Sequence, residues 1–547
     1  MKKINSLLAL GATLTLGACT TTPQKPNIVF FLVDDYGWAD SSVAYGEEVY
    51  KTNLRHDTPF QKLLSEQGAI MTNAYACPVS TPTRASLMTG MNASHMWVTN
   101  FTSPVRDLPS DGKYFVEPNA REVENPKFDR PLWNYNGISP VDGVENTCYA
   151  TPLAQLLKDN GYFTICVGKG HWATPGTPGA SPYNFGFVVN VSGNIAGRPG
   201  SYLSEDNYGN TAEKWTSHAV QNMTEYYGSG IHLTEALTRE ALKTLDYPIS
   251  HNEPFYLYMS HHAVHTPIQG DDRFLQKYLE RGMDEGQAKY ASLVEGVDKS
   301  LGDIMHYLEQ KGVAQNTIII FMGDNGGNSI TKQKGGEAHT QNKPLREGKG
   351  SCYEGGIRVP LLIKWPNQIQ ANTRLNTPVV CEDIFPTILS MAGIRSYKTV
   401  QAIDGEDLTK LLIDGSKYVS EQKFSTQKEA TKFVIPQSIS GLDPKRAIIS
   451  NYPHRWKPSW NEDIDYMSSI RKGDWKLVYR MLSGTLELYN ISEDIEEKND
   501  VASQHEDIVR ELALFLSEKF KEWKTPMPRL HSTLEEIPLP ACIIRTK

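Results

Sequence analysis

Asn27-Ile28-Val29-Phe30-Phe31-Leu32-Val33 is an unbroken apolar, β-rich run that ends in Asp34-Asp35-Tyr36-Gly37. A strand with one wet face alternates polar and apolar residues. A run without polar interruption belongs to a strand covered on both faces, as in a parallel sheet. Open α/β sheets bind ligands beyond the carboxyl ends of their strands, which is where the two adjacent carboxylates stand. Asp34 and Asp35 repel each other, and a hard divalent cation is the usual remedy; solvated loop acids are the plainer alternative.

Three later runs repeat the pattern. Residues 162–167 empty into Gly168-Lys169-Gly170-His171, and residues 254–259 into Ser260-His261-His262-Ala263-Val264-His265-Thr266-Pro267. Residues 317–322 end in Gly323-Asp324-Asn325-Gly326, a second acidic strand end. Asp34, Asp35, Asp324 and Asn325 offer only oxygen ligands, which suits Ca²⁺ or Mg²⁺ and disfavours zinc. Residues 151–159 read as a helix, and 290–308 keep a helical apolar period that marks packing, not chemistry. Strands alternating with helices to about residue 400 predict an α/β domain with a large mixed or parallel sheet flanked by helices.

The stretch Ala76-Cys77-Pro78-Val79-Ser80-Thr81-Pro82-Thr83-Arg84-Ala85-Ser86-Leu87-Met88-Thr89-Gly90 reads as a short helix over 83–88, with Pro82 at its first position and Gly90 ending it. Ser80 then sits just before a helix N-terminus, where unpaired N–H groups and the dipole favour an anion. Arg84 brings a positive fork to the same place one turn on. An ordinary capped turn has the same composition.

Ser80-x-Pro82-x-Arg84 followed by Ala-Ser-Leu-Met-Thr-Gly resembles the signature of the formylglycine-dependent sulfatases, in their serine form; Thr83 stands where Ser is commoner. Leu345-Arg346-Glu347-Gly348-Lys349-Gly350 resembles the second signature of that family. Asp-Asp, Lys-x-His and His-x-Pro fall in the family's order, although Trp172-Ala173 after His171 departs from it. The resemblance implies an alkaline-phosphatase-like fold and conversion of Ser80 to formylglycine (3-oxoalanine) by an anaerobic-type maturase. It implies one Ca²⁺, with Mg²⁺ second, on Asp34, Asp35, Ser80, Asp324 and Asn325. It implies that Arg84, Lys169 and Lys349 hold the sulfate, that His265 protonates the leaving oxygen, and that His171 regenerates the aldehyde. Two rivals stand beside it. One is a phosphate mono- or diesterase of the same superfamily using Ser80 directly; the other is an inactive glycan-binding lipoprotein on the same fold.

The substrate implied is a sulfated carbohydrate, with galactose or N-acetylgalactosamine sulfates foremost. The stretches resembling carbohydrate sulfatases are Met91-Asn92-Ala93-Ser94-His95, the loop through Gly197-Arg198-Pro199, and Asn451-Tyr452-Pro453-His454-Arg455-Trp456. His95, Arg198, His454, Arg455 and Trp456 are the candidate sugar contacts, their aromatic and polar groups suiting stacking and hydroxyl recognition. Structural loop packing is the plain alternative.

Composition sets the remaining bounds. The chain has 547 residues, 39% hydrophobic, and a net charge of −8, which argues against nucleic-acid binding. Lys2 and Lys3, an apolar run over 7–16 and Leu16-Gly17-Ala18-Cys19 read as an export signal resembling a bacterial lipobox, with Cys19 lipidated. The expectation is an exported lipoprotein, periplasmic or outer-membrane attached, held to the membrane by that anchor alone. Seven scattered cysteines form neither a framework nor a zinc site; isolated buried thiols are the expectation, with a single disulfide as the alternative. The expected organisation is 1–19 leader, 25–440 catalytic domain and 441–547 a smaller antiparallel sheet with one helix. Residues 397–443 read as a polar linker with surface loops.

Overall fold

The computed structural model describes residues 24–102, 128–129, 132–211, 214–215, 218–328, 341–455 and 464–544. Cys19 and Trp456 lie outside the described residues.

The opening run is strand β1 (Asn27–Val33), buried along its whole length. Its side chains alternate between two cores: Ile28, Phe30 and Leu32 enter one, Val29, Phe31 and Val33 the other. That is the physical reason for the missing polar residues, since both faces of the strand are covered.

Seven further strands join it: β2 (Ala69–Met71), β3 (Phe163–Gly168), β4 (Val189–Val191), β5 (Phe255–His261), β6 (Thr317–Gly323), β7 (Leu361–Lys364) and β8 (Thr373–Leu375). The eight-stranded order is β8-β2-β7-β6-β1-β5-β3-β4. Strand β7 runs antiparallel to both neighbours, and the other pairs are parallel, so the sheet is mixed. Val33 pairs with both His261 and Gly323, and Ser260 with Gly168. Four strand ends are thereby level, and the residues that follow them share one edge.

Helices α2 (Leu233–Ser250) and α3 (Glu285–Gln310) cover one face. Tyr290, Leu293, Val294, Val297, Leu301, Ile304, Met305 and Leu308 of α3 all enter the core behind Val29 and Phe31, as the helical period predicts. Helix α1 (Ser80–Thr89) lies on the other face, with Ala85, Leu87 and Met88 in the opposite core. Each large apolar side chain buried this way contributes about 1.5–3 kcal/mol relative to exposure.

The C-terminal strands β9 (Ala447–Tyr452), β10 (Met467–Lys472), β11 (Trp475–Arg480) and β12 (Thr485–Asn490) form an antiparallel sheet in that order, as expected. Helix α4 (Glu506–Glu522) covers one face through Val509, Leu512, Leu516 and Phe520. The other face packs Tyr452, Met467, Val478 and Tyr489 around Val79, the residue before Ser80.

Residues 397–443 depart from the expected linker. Leu408, Leu411, Leu412, Val419, Ile435 and Leu442 are buried in the main core, Leu411, Leu412 and Val419 on the helical turns Leu411–Gly415 and Ser416–Ser420. A polar average concealed these apolar anchors, although Leu408, Leu411, Leu412 and Val419 keep a helical spacing.

Between the two sheets runs a buried ionic cluster. Lys476 on β11 lies 2.9 Å from both Glu354 and Glu497, with its side chain 1% exposed. Glu354 also accepts from Tyr75 and Arg358. Removing one member of a buried pair leaves an uncompensated charge. Lys476→Ala is therefore expected to destabilise the protein by about 3–5 kcal/mol. Lys472→Ala, which breaks an exposed pair between β10 and Glu511 of α4, should cost less than about 1 kcal/mol. Equal midpoint shifts in denaturant for the two variants would refute this.

Candidate active site

Local backbone forces bring the site residues together. Asp34 follows β1, and its N–H donates to Ala263 O beyond β5. Asp324 follows β6, its N–H on Val33 O, while Lys169 N–H donates to Ser260 O. Asp35 (φ 56°) and His171 (φ 60°) adopt the left-handed region, uncommon for such residues and typical of functional turns.

Ser80 is the first residue of α1, not the residue before it, and Val79 takes the cap position with no side-chain cap. Pro82 is therefore the third helical position, where its missing N–H is still no loss because that group has no intrahelical acceptor. Gly90 (φ 70°) closes the helix as expected. Thr83 keeps the hydroxyl of the commoner Ser and uses it to accept from Cys77 N at 2.9 Å.

Ser80 Oγ lies 3.0 Å from Asp34 Oδ1, 3.1 Å from Asn325 Oδ1 and 3.2 Å from Lys169 Nζ. Asp34, Asp35 and Asp324 are fully buried and offer three carboxylate oxygens within 4.8 Å of one another. Their counter-charges are Lys169, 2.7 Å from Asp34, Lys349 on Asp35, and Arg84 on Asp324. Asn325 completes the ring, donating to Asp35 Oδ1 at 3.0 Å. Three hard carboxylates with an amide oxygen and a hydroxyl at their centre match the donor preference of Ca²⁺ or Mg²⁺.

Burial pushes the Lys169 ammonium down to about 8, against the pull of Asp34. Burial also disfavours the Lys349 charge, but Asp35, Asp34 and Asp324 together hold it above its ordinary range. The Asp324 carboxyl is raised by burial and by Asp34 despite Arg84 beside it. His171 is buried, and burial and Lys169 hold it well below the ordinary imidazole range, so it is neutral. Its ring lies 3.3 Å from Thr81 Oγ1 and 3.1 Å from Thr102 O. His265 is partly exposed, with Nε2 3.8 Å from Asp35 and Nδ1 2.9 Å from Thr266 O.

Arg84 is more confined than the sequence suggests. Its Nε and Nη2 both grip Asp324 Oδ2 at 3.0 and 2.9 Å. Its Nη1 meets Ser260 Oγ at 2.6 Å and Lys169 O at 3.2 Å.

A family profile described as Sulfatase matches residues 26–394, the Asp34 and Asp324 strand ends, the Ser80 turn and the Lys349 loop included. The chain belongs to the sulfatase family. Members of it are sulfuric ester hydrolases, and this chain is one. It is 27% identical over 595 residues to a sulfatase of Formosa agariphila, covering 99% of this chain and 98% of that one. It is 26% identical over 520 residues to an N-acetylgalactosamine-6-O-sulfatase of Bacteroides thetaiotaomicron, covering 90% and 93%. The N-acetylgalactosamine-6-sulfatase of Rattus norvegicus is 29% identical over 406 residues, 72% of this chain and 67% of that protein. Among solved structures, Ps i-CgsB in complex with k-i-k-neocarrahexaose superposes with a TM-score of 0.63 at 25% identity, covering 91% and 93%.

The outer candidates of this sulfatase fall in two groups. Arg198 follows Gly197, where a Cβ would stand 2.7 Å from the His171 ring; only glycine lets that loop lie against the histidine. His454 donates or accepts at Thr99 Oγ1, 2.8 Å away, and Thr102 meets His171, so residues 99–102 run from one histidine to the other. Arg455 lies 3.5 Å from Asp465. His95 is tied elsewhere: Asp404 holds its Nδ1 at 2.9 Å and Trp523 stacks on its ring at 5.7 Å. The parts played by Ser260, Thr81 and Thr102 were not legible in the sequence, because their only signal is a tertiary contact.

Proposed function

We propose that this sulfatase hydrolyses sulfate esters of carbohydrates, galactose or N-acetylgalactosamine sulfates foremost, with Ser80 matured to formylglycine as its nucleophile. The observation that carries this reading is the position of Ser80 Oγ among Asp34, Asn325 and Lys169, at the head of a buried helix. The names of the relatives support the carbohydrate class.

Oxidation of the Ser80 side chain to an aldehyde and its hydration put two hydroxyls on one carbon. One gives its proton to a neighbouring carboxylate, Asp34 standing 3.0 Å from Ser80 Oγ, and attacks sulfur in line. The S–O bond to the sugar breaks, and the sugar oxygen takes a proton from His265, at the open side of the site. The second hydroxyl then gives its proton to neutral His171, the carbonyl re-forms and sulfate departs. A plain serine lacks the second hydroxyl and would stay sulfated.

Lys169 and Lys349 bind the sulfate oxygens and offset the developing charge. Arg84, whose fork is taken up by Asp324, Ser260 and Lys169 O, acts by positioning Asp324 and Lys169. A hard divalent cation, Ca²⁺ ahead of Mg²⁺, held by Asp34, Asp35, Asp324, Asn325 and the Ser80 side chain, supplies positive charge beside the nucleophile. Elemental analysis is expected to find one such ion per chain, and chelation to lower activity about 10²-fold or more with recovery on adding Ca²⁺. Two zinc ions per chain would sink this assignment and favour a phosphatase.

The candidate sugar contacts among the described residues are Arg198, His454, Arg455 and His95, the last oriented by Asp404 and Trp523. Defined sulfated monosaccharides, assayed for released sulfate, test the substrate class. Turnover of phosphate esters with none of any sulfated sugar would overturn it.

Among the described residues no helix is long and apolar enough to cross a membrane. The lipid anchor at Cys19, and with it the export of the enzyme, remains part of the proposal, as does a domain boundary near residue 440. Globomycin-sensitive labelling with a radioactive fatty acid, absent in Cys19→Ala, is the expected signature of the anchor.

A further inference from the structure

We propose that Cys77 and Cys381 form a disulfide that fastens the turn delivering Ser80 to the segment behind it. Their sulfurs lie 3.9 Å apart. The backbones are neighbours: Ala74–Tyr75 and Val379–Val380 pair in parallel, Tyr75 opposite Val380, and the two cysteines follow within two residues. An S–S bond needs the sulfurs to close by about 1.9 Å, less than a χ1 rotation moves them.

Cys77 is 7% exposed and Cys381 fully buried. The bond therefore forms before the core closes, in an oxidising compartment, so its presence in the cell rests on the export reading. The oxidant is a small-molecule or protein disulfide. The Cys77 thiolate attacks one of its sulfurs and expels a thiolate. The Cys381 thiolate then attacks Cys77 sulfur, expelling the second. Two protein thiols lose two protons and two electrons, and the oxidant leaves as two thiols.

The consequence falls on the catalytic edge. The bond would close a loop spanning 304 residues, the kind of cross-link that most restricts the unfolded chain. It also sits one residue before Pro78, whose carbonyl accepts from Gly350 N at 2.8 Å. The clamp thus reaches both the Ser80 turn and the loop of Lys349.

The test uses the full chain, both as isolated from its host's cell envelope and after incubation with a glutathione disulfide–glutathione buffer in sub-denaturing urea. Free thiols are then blocked in denaturant and peptides weighed. A peptide pair joined through Cys77 and Cys381, 2 Da lighter than the two thiol peptides, is the expected result in the incubated protein. Dithiothreitol should then lower its Tm by a few degrees, a shift missing from Cys381→Ser and from Cys77→Ser. Both cysteines alkylated after the incubation, or joined to other partners, overturn the proposal. A bond that forms in the buffer but is missing from the envelope protein overturns the proposal for the enzyme in its host. Neither result touches the sulfatase reading, which Ser80 carries separately.

Discussion

Ser80→Ala is expected to lower sulfate release by on the order of 10⁴–10⁶-fold, the usual cost of removing a covalent nucleophile that acts as one unit with its neighbours. The fold should survive. Ser80 sits on a helix whose apolar side, Ala85, Leu87 and Met88, is unchanged, and the lost hydroxyl touches only the site. The partner measurement is the mass of the peptide carrying residue 80. In active enzyme from its own host it should read 2 Da below serine, for the two hydrogens lost on oxidation to the aldehyde. Cys at position 80 in a host that matures only cysteine should restore activity. Full activity with unmodified serine would transfer the protein to the phosphatase reading. Unmodified and inactive serine in the native host would make it a silent binding protein.

Next in size is the separation of the two histidines. His265→Ala should slow cleavage of sugar sulfates by about 10²–10⁴-fold and an activated aryl sulfate far less, because a phenolate leaves without a proton. The site supports that split: His265 is the partly exposed histidine, near Asp35 at the mouth, while His171 is enclosed by Thr81 and Thr102. His171→Ala should slow the enzyme whichever alcohol leaves, and a sulfated form of the residue 80 peptide, about 98 Da above the aldehyde and about 80 Da above its hydrate, should accumulate. The pre-steady-state burst of released alcohol then persists while turnover falls. Equal dependence of both variants on leaving-group pKa, with no adduct in either, would mean that the roles are wrongly divided.

How much of this was legible in the sequence depended on range. Strand β1 announced itself because covering both faces forces an apolar run, and Asp34 and Asp35 had to follow its end. The three-residue strands β2, β4 and β8 gave no signal, since so short a piece carries no period. Spacing located Arg84 beside Ser80, but only the fold reveals that its fork is spent on Asp324, Ser260 and Lys169. His95 was legible as a candidate sugar contact by its motif, but its pairing with Asp404, far along the chain, was not. Polar composition concealed Leu408, Leu411 and Leu412 in the supposed linker, because averaging hides three anchors among many polar neighbours.

The buried pairing of Lys476 with Glu354 makes the small sheet more than an appendage. Glu354 stands five residues after Lys349, and its own N–H is capped by Glu497 at 2.7 Å. Val79, next to Ser80, is wedged under the same sheet. Cutting the chain before Ala447 would strip both supports at once, so a shortened enzyme would be inactive although every reacting group remained. It follows that heat should melt the two sheets in one cooperative transition. Evolution in this chain cannot exchange the C-terminal segment as a cassette without rebuilding the turn that carries Ser80.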